Sequence, residues 1–487
     1  MNEELIKIIN GGEINLLKNF VKENFSKIEF NSKVYEIAIN NNNLKAIEIL
    51  NENVIRNKNI NEVLSKIILL LIEHENFIYL KKFFSKYIYD NQFILQLIVI
   101  HRNKNRISDN ELQSMIVQEK SKVNLNIKNE KGQTPLLIAC DKANKNIIEF
   151  LIENGADINI GDSDGFTPLI VSCIYENNEI VKYLVEKGAD INKRNNEGDN
   201  SLMFSCINGN EAITKYLVEN GANINNENDD GDTPLIIASK KENENILKIL
   251  VKNGADINKR NKKGQTAIII TSCLDNEILT KYLVEKGADI NDQDHDNNTP
   301  LMNACNNKNN ELIMYLVEKG ADINNRNNYD CTALMLSCIK QNEQMVKFLV
   351  ENGADINICD SDGDTPLLIA CNRENISIVK YLVNHEAEIN IENENGDCPL
   401  LIAIINENED LMEYLVENGA DVNIENINGD TPLILSIASE NENIVRYMVE
   451  HGANVNMENK NGYTPLIIGY EINNENIINY LIDNGAI

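Results

Sequence analysis

Gly363-Asp364-Thr365-Pro366-Leu367-Leu368-Ile369-Ala370, a polar break around Asn375, the apolar run Ile378-Val379-Lys380-Tyr381-Leu382-Val383, and a close at Ala387-Glu388-Ile389-Asn390: this stretch sets the grammar of the chain. Thr-Pro-Leu or a one-letter variant starts at 134, 167, 200, 233, 266, 299, 332, 365, 398, 431 and 464, so every step is 33 residues with no insertion or deletion. Such regularity is the mark of one supersecondary unit stacked on copies of itself. One elongated body is expected of the 487 residues rather than several globular cores.

The unit can be read residue by residue, counting from the Thr as position 0. Thr is a good helix N-cap, and Pro at the next position suits a first turn whose N–H would be unpaired anyway. All eight prolines of the chain stand there. A short first helix follows, with a small residue such as Ala139, Ala238, Ala304 or Ala370 at +5 for close helix approach. At +10 every unit has Asn, from Asn144 to Asn474. Asn tolerates the left-handed conformation and caps helices, so it fits the turn into a second helix. That helix carries aliphatics at helical spacing and an aromatic such as Tyr183, Tyr381 or Tyr447, expected to pack between neighbours with its tip in water. Lys before the aromatic and Glu after it make a solvated outer face. Gly155, Gly188, Gly353 and their counterparts end the helix where a left-handed cap is needed, and His385-Glu386-Ala387 breaks the pattern, predicting a less regular end there. Five variable residues and a Gly such as Gly165 then suit a hairpin-like finger.

Residues 1–133 lack the Thr-Pro-Leu phrase but keep a rhythm of paired short helices, as in 12–21 and 33–50. Two readings stand for them: four degenerate repeats, or an unrelated helical domain of about 100 residues.

Composition narrows the function. The 75 Asp and Glu against 45 Lys and Arg leave a formal charge of -30, which repels nucleic-acid phosphates and anionic lipid. The charge fits a basic protein partner, and it equally serves solubility. Cys140, Cys173, Cys206, Cys305, Cys338 and Cys371 share position +6 and read as small buried residues of a reducing compartment, one repeat apart and too far for disulfides. The five His are scattered, and the nearest approach to a metal loop, Asp292-Gln293-Asp294-His295-Asp296-Asn297, lacks the Gly expected at Asn297 and the acid expected at Asn303, so no metal and no cofactor are expected. Nucleotide-binding and nucleophile motifs are absent. The acidic start is wrong for a signal peptide and the longest apolar runs are too short to span a bilayer, so a cytoplasmic or nuclear location is expected, without secretion or membrane insertion.

With period 33, Thr-Pro-Leu, Ala at +5 and a Gly-Ala-Asp-Ile-Asn close, the chain resembles the ankyrin-repeat family over 134–487, and in worn form over 1–133. The resemblance implies an all-α solenoid of about fifteen units with hairpin-like fingers, curved into a superhelical stack. It also implies non-enzymatic binding of other proteins through the concave face and fingertips. A second implied role is that of substrate-recognition adaptor in a larger assembly such as a ubiquitin ligase, docking through 1–133. Asn159 resembles the site hydroxylated in some members. One departure is systematic: where the family carries a histidine at +3 that ties units by hydrogen bonds, this chain is always aliphatic, from Leu137 to Ile467, so burial rather than polar networking is expected to hold the stack.

At the family's display positions most residues are polar. Phe166, Ile174, Tyr175 and Ile207 are the exception, either an anchor for a partner or side chains tucked between units. Fingertips change sign along the chain, basic at Lys193-Arg194 and 259–263, acidic at 360–364, 392–397 and 425–430. Asp364, Asp397 and Asp430 are the expected acidic strip for a partner's basic residues.

Overall fold

A computed structural model of the chain describes residues 2–24, scattered positions between 34 and 50, residues 126 and 128, and 131–487 except 154. It forms two compact units, 1–229 and 230–487. The readings made for residues 51–125, and most of those for 25–50, lie outside the described residues.

In the first unit Asn2–Gly11 and Ile14–Asn24 form one helix pair. Regular repeats follow as Pro135–Asp141 with Lys145–Glu153, Pro168–Ile174 with Asn178–Glu186, and Ser201–Ile207 with Glu211–Glu219. The second unit continues the alternation of seven- or eight-residue first helices and nine-residue second helices, from Pro234–Lys240 to Glu475–Asp483. No described residue lies in a strand.

Helix starts follow local chemistry, except that the caps Thr266 and Cys398 make no side-chain bond. The hydroxyl of Thr365 accepts the Leu368 N–H at 3.2 Å, and its extended backbone (φ -82°, ψ 163°) feeds Pro366 at the first helical position. The apolar positions of this repeat then meet those of its neighbours: Leu367, Leu368, Cys371, Ile378, Val379 and Leu382 are at most 1 % exposed. The aliphatics at +3 are buried in the same way, Ile170, Met203, Met335 and Leu401 completely so, except Ile467 of the last repeat, which is 40 % exposed. A side chain of this size stabilises by roughly 1.5–3 kcal/mol when fully buried, so the stack draws most of its cohesion from these layers.

Three details refine the sequence reading. The left-handed residue of the helix–helix turn stands at +9, one before the Asn, and is usually charged: Glu176, Glu242, Lys308, Glu374 and Glu407 have φ between 53° and 59°. The Asn itself caps the second helix, as Asn375 does by accepting the Ile378 N–H at 3.0 Å. The helix before His385 keeps nine residues, Ile376–Asn384, but its end is less regular, as expected: His385 stands at φ -111°, ψ 32°, and Glu386 adopts φ 70° where other repeats place Gly at 88–98°. Finally, polar cross-ties between repeats are plentiful although the family's histidine is missing. The closing Asn324 accepts the Asp355 N–H at 2.9 Å and donates to the Gly353 carbonyl at 3.1 Å, and Asn192, Asn258, Asn390, Asn423 and Asn456 repeat both bonds. Each carboxamide therefore ties one repeat to the next through both of its polar atoms.

The fingers stack by a second set of Asn. Asn393 accepts the N–H groups of Asn395 and Asp397 within its own finger and donates back to Asp364 at 2.8 Å. Gly363 sits at that contact: at φ 83°, a Cβ there would lie 2.9 Å from the Asn393 Cα. Here glycine answers both a backbone conformation and a lack of room.

Candidate protein-binding surface

Four positions of each repeat share one face, and side-chain contacts show it. In the first unit Phe166, at -1, meets Phe204, at +4 of the following repeat, with ring centroids 5.8 Å apart and planes inclined by 52°. Tyr175, at +8, hydrogen-bonds the Asp141 carboxylate at +7 of the preceding repeat, and that bond is the main reason its phenol is held above its ordinary pKa. Asn208, at +8, donates to the Ile174 and Cys173 carbonyls at 2.9 and 3.3 Å and so caps the preceding first helix. In the second unit Lys240, at +7, pairs with Asp232, at -1 of its own repeat. Within each unit -1, +7 and +8 therefore lie together on the first helices beside the fingers, joined in the first unit by Phe204 at +4; in the second unit the +4 residues Ile237, Ile270, Leu336, Ile369 and Ile402 are buried.

The expected anchor residues fall on that face. Tyr175 is 56 % exposed, while Phe166, Ile174 and Ile207 are half-buried. Phe204, half-buried against Phe166, belongs with them and was missed by sequence reading, since only the register between adjacent repeats brings +4 to -1. The two rings make an offset aromatic pair with part of each left to solvent.

Asp364, Asp397 and Asp430 belong to the second unit and occupy -1 of three successive repeats. All three are half-buried. Asp364 accepts from Asn393 and Asp430 from Asn459, at 2.8 and 2.7 Å, so these carboxylates also serve finger stacking. Among the described residues none of the three enters an ion pair. Exposed Asp362, Glu392, Glu394 and Glu425 extend the same charge to the fingertips. Burial lifts the Asp360 carboxyl above its usual range, with the neighbouring aspartates adding to it. Ile405, at +7 in the repeat of Asp397, is 57 % exposed and Ile427 at the next fingertip 51 %, two apolar residues within the acidic stretch that sequence reading passed over.

The basic fingers are internally committed. Arg194 donates to the Gly198 carbonyl at 2.8 Å and lies 3.7 Å from Asp229; Arg260 pairs with Asp292 and donates to the Gln293 carbonyl; Arg326 pairs with Asp330 and donates to the Cys359 carbonyl. The Asp292–Asn297 loop is such a finger: Asp294 accepts the N–H groups of Asp296 and Asn298, and Asn303 is buried against Ser272 at 3.2 Å. Among the described residues no group of three or more His, Cys, Asp or Glu is arranged to hold a metal ion.

The outer face, carried by the second helices, is regular where the inner one varies. Lys281 lies 5.2 Å from the Tyr315 ring centroid, and the Tyr315 hydroxyl reaches back to the Lys281 carbonyl at 3.3 Å; Lys347 and Lys380 treat Tyr381 and Tyr414 alike. These three phenol tips also bond to the neighbouring repeat, whereas the Tyr183 hydroxyl is buried without a partner. Among the described residues no helix is long and apolar enough to cross a membrane.

A family model described as ankyrin repeats in three copies matches residues 104–195, 192–261, 268–360, 334–426 and 418–487. No curated protein matches the chain. With the matched segments covering most of the sequence, and the helix pairs, capped turns and stacked fingers agreeing with them, the chain belongs to the ankyrin-repeat family.

Proposed function

We propose that this chain is a non-enzymatic scaffold that binds a protein partner through the first-helix face and fingertips, with Phe166, Ile174, Tyr175 and Ile207 as apolar anchors and Asp364, Asp397 and Asp430 as an acidic row for basic residues. Ankyrin repeats generally mediate protein–protein interaction. The observation that carries the reading is the contrast between faces. Caps, closing Asn and outer Tyr repeat from unit to unit, while +7 and +8 vary along the chain and -1 passes from mixed residues into an unbroken run of Asp at 364, 397 and 430. Binding energy concentrates in a few aromatic and charged anchors, and Phe166 with Tyr175 supplies the aromatic ones. The test is cross-linking capture in cells with the intact chain, Phe166→Ala/Tyr175→Ala, and an outer-face control, Lys347→Ala. Loss of a defined partner in the aromatic variant alone is expected; equal recovery by all three would overturn the anchor assignment.

A further inference from the structure

The acidic stretch of the second unit has an internal template for what it binds. Lys240 reaches from +7 to the Asp232 carboxylate at -1, so in that repeat the face is closed by the chain's own cation, and Asp232 is left 6 % exposed. In the repeats of Asp364, Asp397 and Asp430 the +7 residue is Asn372, Ile405 or Ala438, and no cation is supplied from that position. Arg373 and Lys340, at +8, mark the N-terminal end of this stretch. What remains is a row of carboxylates, one per repeat, beside the exposed Ile405.

The step between repeats selects the backbone that can use this row. Neighbouring helices pack about 8–10 Å apart, and that is taken as the step of the -1 carboxylates, which stand one per repeat just before the first helices. A β-strand presents one face every second residue, about 6.6 Å, or every fourth, about 13 Å, and misses the step both times. A polyproline II helix has three residues per turn at 3.1 Å each, so one side recurs every 9.3 Å or so and keeps register over several repeats.

Resting on the acidic-row reading above, we infer that the second unit binds a polyproline II segment of the partner carrying Lys or Arg at every third residue. Each cation takes at Asp364, Asp397 or Asp430 the place that Lys240 takes at Asp232, and the intervening apolar residues lie on Ile405. Charge complementarity chooses the sign of the occupant, the repeat step its conformation, and the exposed isoleucine its spacer chemistry. Such a segment is ordered before it binds and loses little entropy on docking.

Two peptides of one composition test this on the full chain by fluorescence anisotropy: capped (Lys-Pro-Pro)3, and an isomer with its three lysines contiguous. The spaced peptide is expected to bind about tenfold tighter, since only it pairs each cation with its own carboxylate. Asp397→Asn should weaken it about tenfold; Asn298 already occupies the same position and accepts the same bond from Asn327, so the fold tolerates the change. Ile405→Lys, which copies the arrangement of Lys240, should close the face against Asp397 and weaken the spaced peptide to a similar degree. Equal binding of the two isomers, or indifference to both substitutions, would overturn the register and leave a diffuse acidic attraction. If neither peptide binds at low salt, the acidic row itself is refuted and the inference falls with it.

Discussion

Asn200→Thr should stabilise the repeat that begins at 200. Asn200 is the cap of Ser201–Ile207, completely buried, and its Oδ1 accepts the Met203 N–H at 3.0 Å. Its Nδ2 is also buried and meets no acceptor. Thr167 and Thr365 cap their helices at 3.3 and 3.2 Å with a methyl where that amide stands. A buried donor without a partner costs roughly 1–3 kcal/mol, whereas Asn is the better cap by only a few tenths, so the exchange should gain about 1–2 kcal/mol. Long repeat arrays do not unfold in two states, so the gain is best read by hydrogen exchange in the peptide spanning 200–210. Exchange there should slow about 5- to 30-fold. The reverse change, Thr365→Asn, should speed exchange around 366–372 to the same degree. Unchanged protection in Asn200→Thr, or no loss in Thr365→Asn, would refute the claim that the buried amide is a cost.

Glu386→Gly should stabilise the second unit by about 1 kcal/mol, because a non-glycine residue is held at φ 70° where nothing but conformation favours glycine; at the equivalent Gly353 a Cβ would meet nothing within 4 Å. A urea midpoint no higher than that of the parent would contradict this. Burial pushes the Cys206 and Cys305 thiols up to about 12, and Cys173, Cys338 and Cys371 further. Since their folded values lie above their unfolded ones, the stability they contribute is complete below about pH 9 and is lost as pH rises toward 12; replacing Cys206 and Cys305 by Ala should flatten the alkaline fall of the melting temperature. In the native chain at pH 8 the exposed Cys273 should react with a thiol reagent well before these buried thiols, and simultaneous labelling would contradict the burial.

What could be read from the sequence is what local chemistry decides. Thr365 before Pro366 and Asn375 before a helical run bond within three residues of themselves, so their roles follow from spacing. Asn324 is just as regular in sequence, yet its partners are Asp355 and Gly353, 31 and 29 residues away, and no local pattern names them. Phe204 escaped notice for the same reason: its partner Phe166 belongs to the preceding repeat. The turn was misplaced by one residue because Glu, Lys and Gln at +9 have no intrinsic liking for positive φ. Two helices joined by so short a link impose that conformation, and tertiary packing outweighs the local preference.

The same division of labour explains how the face could vary without weakening the stack. Cohesion in an array of this kind is a sum of nearest-neighbour terms, and here those terms are assigned to the buried +2, +3 and +6 layers, the Asn cross-ties and the outer Lys–Tyr contacts. Apart from the Asp141–Tyr175 bond, the side chain at +7 takes no part in them, and it is accordingly Lys240, Cys273, Asn306, Ile339, Ile405 or Ala438 in different repeats. The -1 residue is less free, because Asp364 and Asp430 each accept a bond from the next finger. Asn298 accepts that bond equally well, so finger stacking requires an acceptor and does not require a charge. Carboxylates at 364, 397 and 430 therefore exceed what stacking demands. In the repeat of Asp232 that excess charge is met from within by Lys240, and at 364, 397 and 430 the +7 position supplies no such cation.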